Sequence, residues 1–325
     1  MKAILFESPC EAEKLYIGEA PPPELKEKEI LVKVKAFAVN RADTLQRIGK
    51  YPAPTGASQI LGLEFAGIVE NPGQSKLWKK GDKVFGLVSG GAYAEYVAIH
   101  EEMAVVLPKN LSFVEAAAIP EVFLTAWQAL CWLAVVRENE TAIIHTGGSG
   151  VGTAAIQICK ELNVLPIITA SKEKHDTCES LGAKLCIDYK TQSFSEEVKR
   201  FTSGKGVNTI IDFLGASYFE DNISSLSIEG RLVILAFMGG AKVNNVNLAN
   251  LLFKRISIHV SSLRSRSLDY QIKLNKDFFS WGLSRFKSTQ LLPVVYEVLD
   301  WKNTGKAHKI MEENANTGKI VLEVS

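Results

Sequence analysis

What this chain of 325 residues has little of narrows its function before any motif is read. Charge of one sign is missing. The 37 basic residues against 36 acidic ones leave a formal net charge of +1, too weak a field to hold a polyanion, so nucleic acid is not expected as its main partner. Cysteine is sparse and unpaired in pattern. Cys10, Cys131, Cys159, Cys178 and Cys186 are odd in number and contain no C-x-x-C, which excludes a disulfide framework and a zinc knuckle and points to a reducing, cytoplasmic setting. Cys159 reads as a buried thiol. Long apolar runs are also absent: the uncharged stretch from Ala129 to Val136 is too short to span a bilayer, and the opening residues include Glu7 and Pro9. Neither a membrane anchor nor an export signal is expected. The histidines His100, His175, His259 and His308 show no metal-ligand spacing, and His145 falls inside an apolar run, where a satisfied core histidine is expected.

What is present is an ordinary globular composition, 46% hydrophobic and 22% charged, in a chain longer than one core usually serves. To about Pro120 the pattern is short β-rich runs, such as Ile30–Ala36, Phe65–Glu70 and Lys83–Val88, cut by Asn71-Pro-Gly, Gly81-Asp and Gly90-Gly. From Thr141 the rhythm changes. Strands are predicted at Ala142–Thr146, Val164–Thr169, Leu185–Asp188, Thr209–Phe213, Leu232–Phe237 and Ile256–Val260, with helices at Glu173–Leu181, Phe194–Thr202 and Tyr218–Leu226 between some of them. That alternation implies an α/β fold with a doubly wound parallel sheet. After Leu263 the chain is polar and helical, ending in the strand-like Gly318-Lys-Ile-Val-Leu-Glu-Val, placed to rejoin the first domain.

The most telling segment is Thr141-Ala-Ile-Ile-His-Thr-Gly-Gly-Ser-Gly-Val-Gly152. A strand entering a glycine turn and then a helix aims backbone N–H groups and a positive helix end at a dinucleotide pyrophosphate. Ser149 stands where the usual fingerprint has its second glycine, and it is small enough to leave room. The following helix has Val151, Ala155, Ile158 and Leu162 at helical spacing, predicting one buried stripe. The tip of the second strand reads Ser171-Lys-Glu-Lys174, a hydroxyl and ammonium groups where an NAD site carries a carboxylate, which favours NADPH. Glu173 is the competing acid.

Ordered stretches on both sides, Asn40-Arg-Ala-Asp43, Gln46–Tyr51, Ile60–Glu64, Ala116–Glu121, Ser149–Gln157, Leu252–Arg255, Leu263–Arg266 and Gly318–Glu323, resemble the medium-chain dehydrogenase/reductase superfamily over nearly the whole chain. More narrowly they resemble its zinc-free quinone oxidoreductases, the tumour-suppressor-inducible NADPH quinone oxidoreductases in particular. The resemblance implies a GroES-like β-rich catalytic domain, its N-terminal part at 1–123, a Rossmann NADPH-binding domain at 124–262, and a segment at 263–325 that returns to the catalytic domain. Zinc-bearing relatives place a thiolate near the position of Asn40 and Gly-His-Glu where this chain has Gly62-Leu63-Glu64; leucine cannot ligate, so no metal is expected.

By the same resemblance, phosphates lie over Ser149, Gly150, Val151 and Gly152, the 2′-phosphate near Ser171, Lys174 and Tyr189, and the nicotinamide half near Asn40, Thr125, Leu214 and Gly215. Phe237, Met238, Gly239, Ser262, Leu263 and Lys319 complete the set. Tyr51 and Asn40 are the expected catalytic residues: the Tyr51 phenol donates to the acceptor oxygen and its ring stacks on a flat acceptor. Asn40 and Asp43 are equally suited to capping a helix. Lys79-Lys80 and Arg264-Ser-Arg266 are expected as solvated basic pairs, with cofactor or subunit contact the alternative for the second. The function implied is NADPH-dependent quinone reduction, against an enoyl or enone reductase and against an NADPH-binding protein with little turnover. The apolar run Ile256–Val260 reads as an edge strand that a second copy would cover, implying a homodimer.

Overall fold

Six runs rich in Ile, Val and Leu between residues 141 and 260 become parallel strands, because helical segments between them carry the chain back across the sheet. The computed structural model describes all 325 residues and divides them into two compact units: Met1–Leu124 with Arg264–Ser325, and Thr125–Leu263. In the second unit the spatial order is Leu185–Asp188, Leu165–Ala170, Thr141–Ile144, Val207–Asp212, Leu226–Ile234, Ser257–Val260. The chain enters at the centre, winds to one edge, then returns to build the other. This doubly wound order puts a topological switch point between Thr141–Ile144 and Val207–Asp212. Ile167, Ile143, Ile210 and Leu232 stand in register across four strands, all fully buried, and form one apolar row under the helices.

Two expectations for this unit need correction. The strand predicted at Leu232–Phe237 runs instead from Leu226 to Ile234, since its ladder with the neighbouring strand stops at the Asp212–Ile234 pair. The helix Gly150–Glu161 is buried continuously from Gly152 to Cys159, not along one stripe; it packs against two strands and also against the helix His175–Leu181, and Val151 and Leu162 are only partly covered. Cys159 is a buried thiol, pushed by burial above its ordinary range.

The other unit carries a seven-stranded sheet in which Glu29–Ala38 pairs with Glu64–Asn71, with Tyr96–His100 and with the chain's last strand, Lys319–Glu323. The C-terminal run therefore does rejoin the N-terminal residues, with Val321 opposite Ala38. Alternation along Glu29–Ala38 buries Ile30, Val32 and Val34 on one face. Phe37 stacks on Tyr93 with ring centres 4.3 Å apart, and Phe85 meets Phe279 of the helix Leu268–Lys287 edge-on at 5.4 Å. No helix is long and apolar enough to cross a membrane.

Candidate active site

In open parallel sheets, ligands bind beyond the carboxyl ends of the strands near the switch point. The residues singled out by sequence in Thr125–Leu263 mostly stand at that edge. Gly147–Gly152 follows Thr141–Ile144; Ser171 follows Leu165–Ala170; Tyr189 follows Leu185–Asp188; Leu214 and Gly215 follow Val207–Asp212; Phe237–Gly239 follow Leu226–Ile234; Ser262 and Leu263 follow Ser257–Val260. Thr125 is the exception, on the helix Pro120–Trp127, with a buried hydroxyl that has no partner.

The first and last glycines of the turn have a steric reason. A Cβ on Gly147 would lie 2.5 Å from Ile168, and one on Gly152 would lie 2.4 and 2.5 Å from the carbonyl oxygens of Thr146 and Gly147. Ser149 is the N-cap: its hydroxyl accepts from the Gly152 N–H at 3.0 Å, so the serine in place of the fingerprint's second glycine is the helix's own cap. Gly150 and Val151, the first two helical residues, have N–H groups without an intrahelical acceptor, as anion binding at a helix start requires. Lys174 lies against the same turn, with its Cδ 2.6 Å from where a Gly148 Cβ would sit. Thus the strand tip and the glycine turn meet.

Around Ser171 the charges are mixed. Ser171 is buried, and its hydroxyl hydrogen-bonds the carboxylate of Glu173, whose Oε1 lies 3.5 Å from Lys190 Nζ; a backbone hydrogen bond and then the Ser171 hydroxyl hold the Glu173 carboxyl below its usual range. Residues 172–174 form a tight turn, and the predicted helix starts only at His175. Tyr189 is 50% exposed, so it is not a core residue.

Two loops are tied together. The N–H groups of Met238 and Gly239 donate to the carbonyls of Phe213 and Leu214, and that of Ala216 to Gly240. Gly215 has φ +72°, and its Cβ would meet the Gly240 carbonyl oxygen at 2.6 Å, so glycine is needed there twice over. The anchor is Asp212, which sequence reading missed. Its carboxylate accepts from the N–H of Leu214 at 2.7 Å and of Gly215 at 3.0 Å, and burial raises it to about 6. An acid ending an apolar strand just before a glycine was the signal. His145 is a core histidine as expected: it bonds Thr169 and Asn222, and burial drops it to about 4.

In the β-rich unit the predicted residues form a buried polar cluster. Asn40 is the N-cap of the helix Arg41–Arg47, and its N–H donates to Asp43 Oδ2 at 2.8 Å in a capping box. Its side-chain amide donates to Glu64 Oε1 at 2.9 Å, and its Oδ1 accepts from Lys319 Nζ at 2.6 Å. Lys319 also reaches Glu64 Oε1 at 2.7 Å and the Val39 carbonyl at 2.7 Å. Val39, Asn40 and Glu64 thus supply three acceptors to the three donors of the Lys319 ammonium. Asp43 further accepts from Gly62 N–H at 3.1 Å and Tyr93 Oη at 3.2 Å; burial raises it to about 6. Burial, then the Glu64 carboxylate, push Glu121 up to about 7.

Tyr51 follows the same helix and is partly buried, with the Arg264 guanidinium carbon 5.5 Å from its ring centre. Arg264 corrects an expectation. It is 7% exposed rather than solvated, because it ties Ser89 and Gln46 together, whereas Arg266 is exposed and Lys80 pairs with Glu70 at the surface.

Zinc does not fit this cluster. No three His, Cys, Asp or Glu side chains are grouped to hold a metal ion, and the Lys319 ammonium already lies between Glu64 and Asn40. A dinucleotide does fit the sheet edge, where free N–H groups, small residues and Lys174 come together.

Comparison with known families agrees with this geometry. Residues 26–109 match the alcohol dehydrogenase GroES-like domain, and residues 150–276 match the zinc-binding dehydrogenase family. The chain belongs to the medium-chain dehydrogenase/reductase superfamily of pyridine-nucleotide-dependent oxidoreductases, with the α/β architecture expected of it. Among individual relatives, a solved NAD-dependent alcohol dehydrogenase superposes with a TM-score of 0.87 at 30% identity, covering 100% of both chains. A quinone oxidoreductase of Pseudomonas syringae pv. Tomato DC3000 gives 0.86 at 29% identity, covering 99% of each. The synaptic vesicle membrane protein VAT-1 homolog of Danio rerio is 30% identical across 92% of this chain, which spans 65% of that longer protein.

Proposed function

We propose that this chain reduces quinones with NADPH as hydride donor and without zinc, as a member of the zinc-free quinone-oxidoreductase branch that includes the tumour-suppressor-inducible enzymes. The observation that carries the reading is that the chain holds a dinucleotide-type strand edge in one unit and, in the other, a buried cluster whose cation is a lysine and whose donors suit no metal. Without a Lewis acid, alcohol oxidation loses its means of stabilising an alkoxide, while an acceptor that is already electron-poor needs less help. The name of the Pseudomonas relative supports the same acceptor class.

When bound, the reduced nicotinamide supplies a hydride; the protein supplies position and exclusion of water. Gly150 and Val151 N–H groups receive the phosphates, Lys174 and Ser171 the 2′-phosphate, and the tied Leu214–Gly215 and Phe237–Gly239 loops, with Thr125, Ser262 and Leu263, hold the rest. Asn40, fixed by Lys319 and Glu64, serves the nicotinamide half. Tyr51 faces the acceptor and donates to its oxygen. The test is turnover of the full chain with NADPH against para-benzoquinone and, in parallel, methyl vinyl ketone. Quinone turnover is expected; reduction of the enone alone would move the assignment to an enone reductase, and cofactor binding without turnover to a binding protein. Equal use of NADH would make Glu173 the ribose partner instead.

We also propose a homodimer. Strand Ser257–Val260 is one of the sheet's two edge strands and leaves Val260 60% exposed, while Leu252 and Phe253 of the preceding helix Leu248–Lys254 are 72% and 74% exposed. A second copy pairing along this edge would cover both. Sedimentation should show a species of twice the chain mass, and Val260→Asp should halve it.

A further inference from the structure

The tip of the second parallel strand already holds an anion, and that anion belongs to the chain. Asp188 stands opposite Ala170 in the ladder between Leu185–Asp188 and Leu165–Ala170, so Tyr189-Lys190 and Ser171–Lys174 leave the sheet side by side. The Asp188 carboxylate accepts from the Lys190 N–H and the Thr191 hydroxyl, both at 3.1 Å, a turn that fixes where the Lys190 side chain starts. Lys190 Nζ then reaches Glu173 Oε1 at 3.5 Å, and the Ser171 hydroxyl donates to the same carboxylate. One carboxylate thus gathers a hydroxyl and an ammonium from two neighbouring loops.

These contacts are unequal in strength. The Glu173 and Lys190 side chains are 64% and 55% exposed, and an ion pair so open to water contributes little. Ser171 is only 4% exposed, and the Lys174 stem lies against Gly148 of the glycine turn. A phosphate monoester brings about −1.5 to −2 charges at pH 7 and three acceptor oxygens, so it outcompetes a single carboxylate for the same donors. A ribose 2′-hydroxyl does the opposite: it donates to a carboxylate and leaves the lysine where it is.

We propose that Glu173 selects between the two nicotinamide cofactors by taking the place of the 2′-phosphate until one arrives. For NADPH the carboxylate swings aside, and Ser171 and Lys190 pass to the phosphate. For NADH it stays and accepts from the 2′-hydroxyl. The inference rests on the dinucleotide reading of this strand edge. Lys190 becomes a partner of the phosphate beside Lys174, a role that no motif assigns to it. Glu173 opposes NADPH and favours NADH, so the chain takes both and prefers NADPH only moderately.

The test is calorimetric binding of NADP+ and NAD+ to the full chain, with no acceptor present. Glu173→Gln removes the competing charge and should tighten NADP+ about tenfold while weakening NAD+ about threefold. Lys190→Met should weaken NADP+ about threefold in the otherwise unaltered chain, where Glu173 offsets the ammonium, and about tenfold in the Glu173→Gln chain. NAD+ should not respond to Lys190→Met in either background. A purely structural role for this exposed pair would produce neither the opposite signs nor the non-additivity. The proposal is overturned if Glu173→Gln moves both cofactors in the same direction, or if Lys190→Met leaves NADP+ affinity unchanged in both backgrounds. Binding of neither cofactor to the unaltered chain would sink the dinucleotide reading itself.

Discussion

The two units build polar sites by opposite means. At the strand edge of Thr125–Leu263 the donors are backbone N–H groups, and side chains matter by being absent, as at Gly147, Gly152 and Gly215. In the β-rich unit the work is done by long side chains that cross the fold: Lys319 reaches Asn40 and Glu64, 279 residues away in the first case. A backbone site is specified locally by a few residues and fails when one gains a Cβ. A side-chain cluster is specified by burial and mutual charge, and it fails when one partner leaves the others stranded in a low-dielectric interior.

The difference can be broken from the side-chain end first. Lys319→Met leaves the Glu64 carboxylate buried without its cation and should cost about 3–5 kcal/mol in denaturant unfolding, with part recovered by Glu64→Gln in the same chain. On the backbone side, Gly152→Ala places a methyl 2.4 Å from the Thr146 carbonyl oxygen, where nothing flexible can yield. It should cost about 1–3 kcal/mol, and calorimetry with and without NADPH should show that cofactor stabilisation falls as well.

Charge sharpens the contrast further. The Glu121 carboxyl, raised to about 7, is protonated more readily in the folded chain than in the unfolded one. Its contribution to stability is therefore present at low pH and lost as pH rises through about 7. Glu121→Gln should flatten that loss, gaining on the order of 2 kcal/mol over the unaltered chain between pH 5 and pH 8, as read from urea midpoints. A parallel loss at low pH is expected from His145, which burial drops to about 4: the unfolded chain takes up that proton first. The smallest effect belongs to a single ammonium at the strand edge. Lys174→Ala should weaken NADPH about tenfold and NADH hardly at all by titration.

Sequence reading reached the two kinds of site unequally, for the same reason. The glycine turn, the strand tip at Ser171 and the returning Gly318–Glu323 strand were legible because each is a local pattern. The end of the fifth parallel strand was misplaced, because where its ladder stops depends on Asp212, a residue on another strand. Ser149 departs from the glycine fingerprint at a position where its hydroxyl caps its own helix, a role set by backbone geometry. Arg264 looked like half of a solvated basic pair; its burial depends on Ser89 and Gln46, far away in the chain. Lys319 was associated with the site, yet its three acceptors come from Val39, Asn40 and Glu64, which no spacing brings together.

The account's central claim is tested most directly by following the absorbance of reduced nicotinamide in the presence of para-benzoquinone, with NADPH and NADH in separate runs and a zinc chelator throughout. The expected result is protein-dependent oxidation of NADPH that the chelator does not touch and that exceeds the NADH rate by about tenfold at limiting cofactor. No acceleration with any quinone, together with alcohol oxidation that zinc restores, would contradict it.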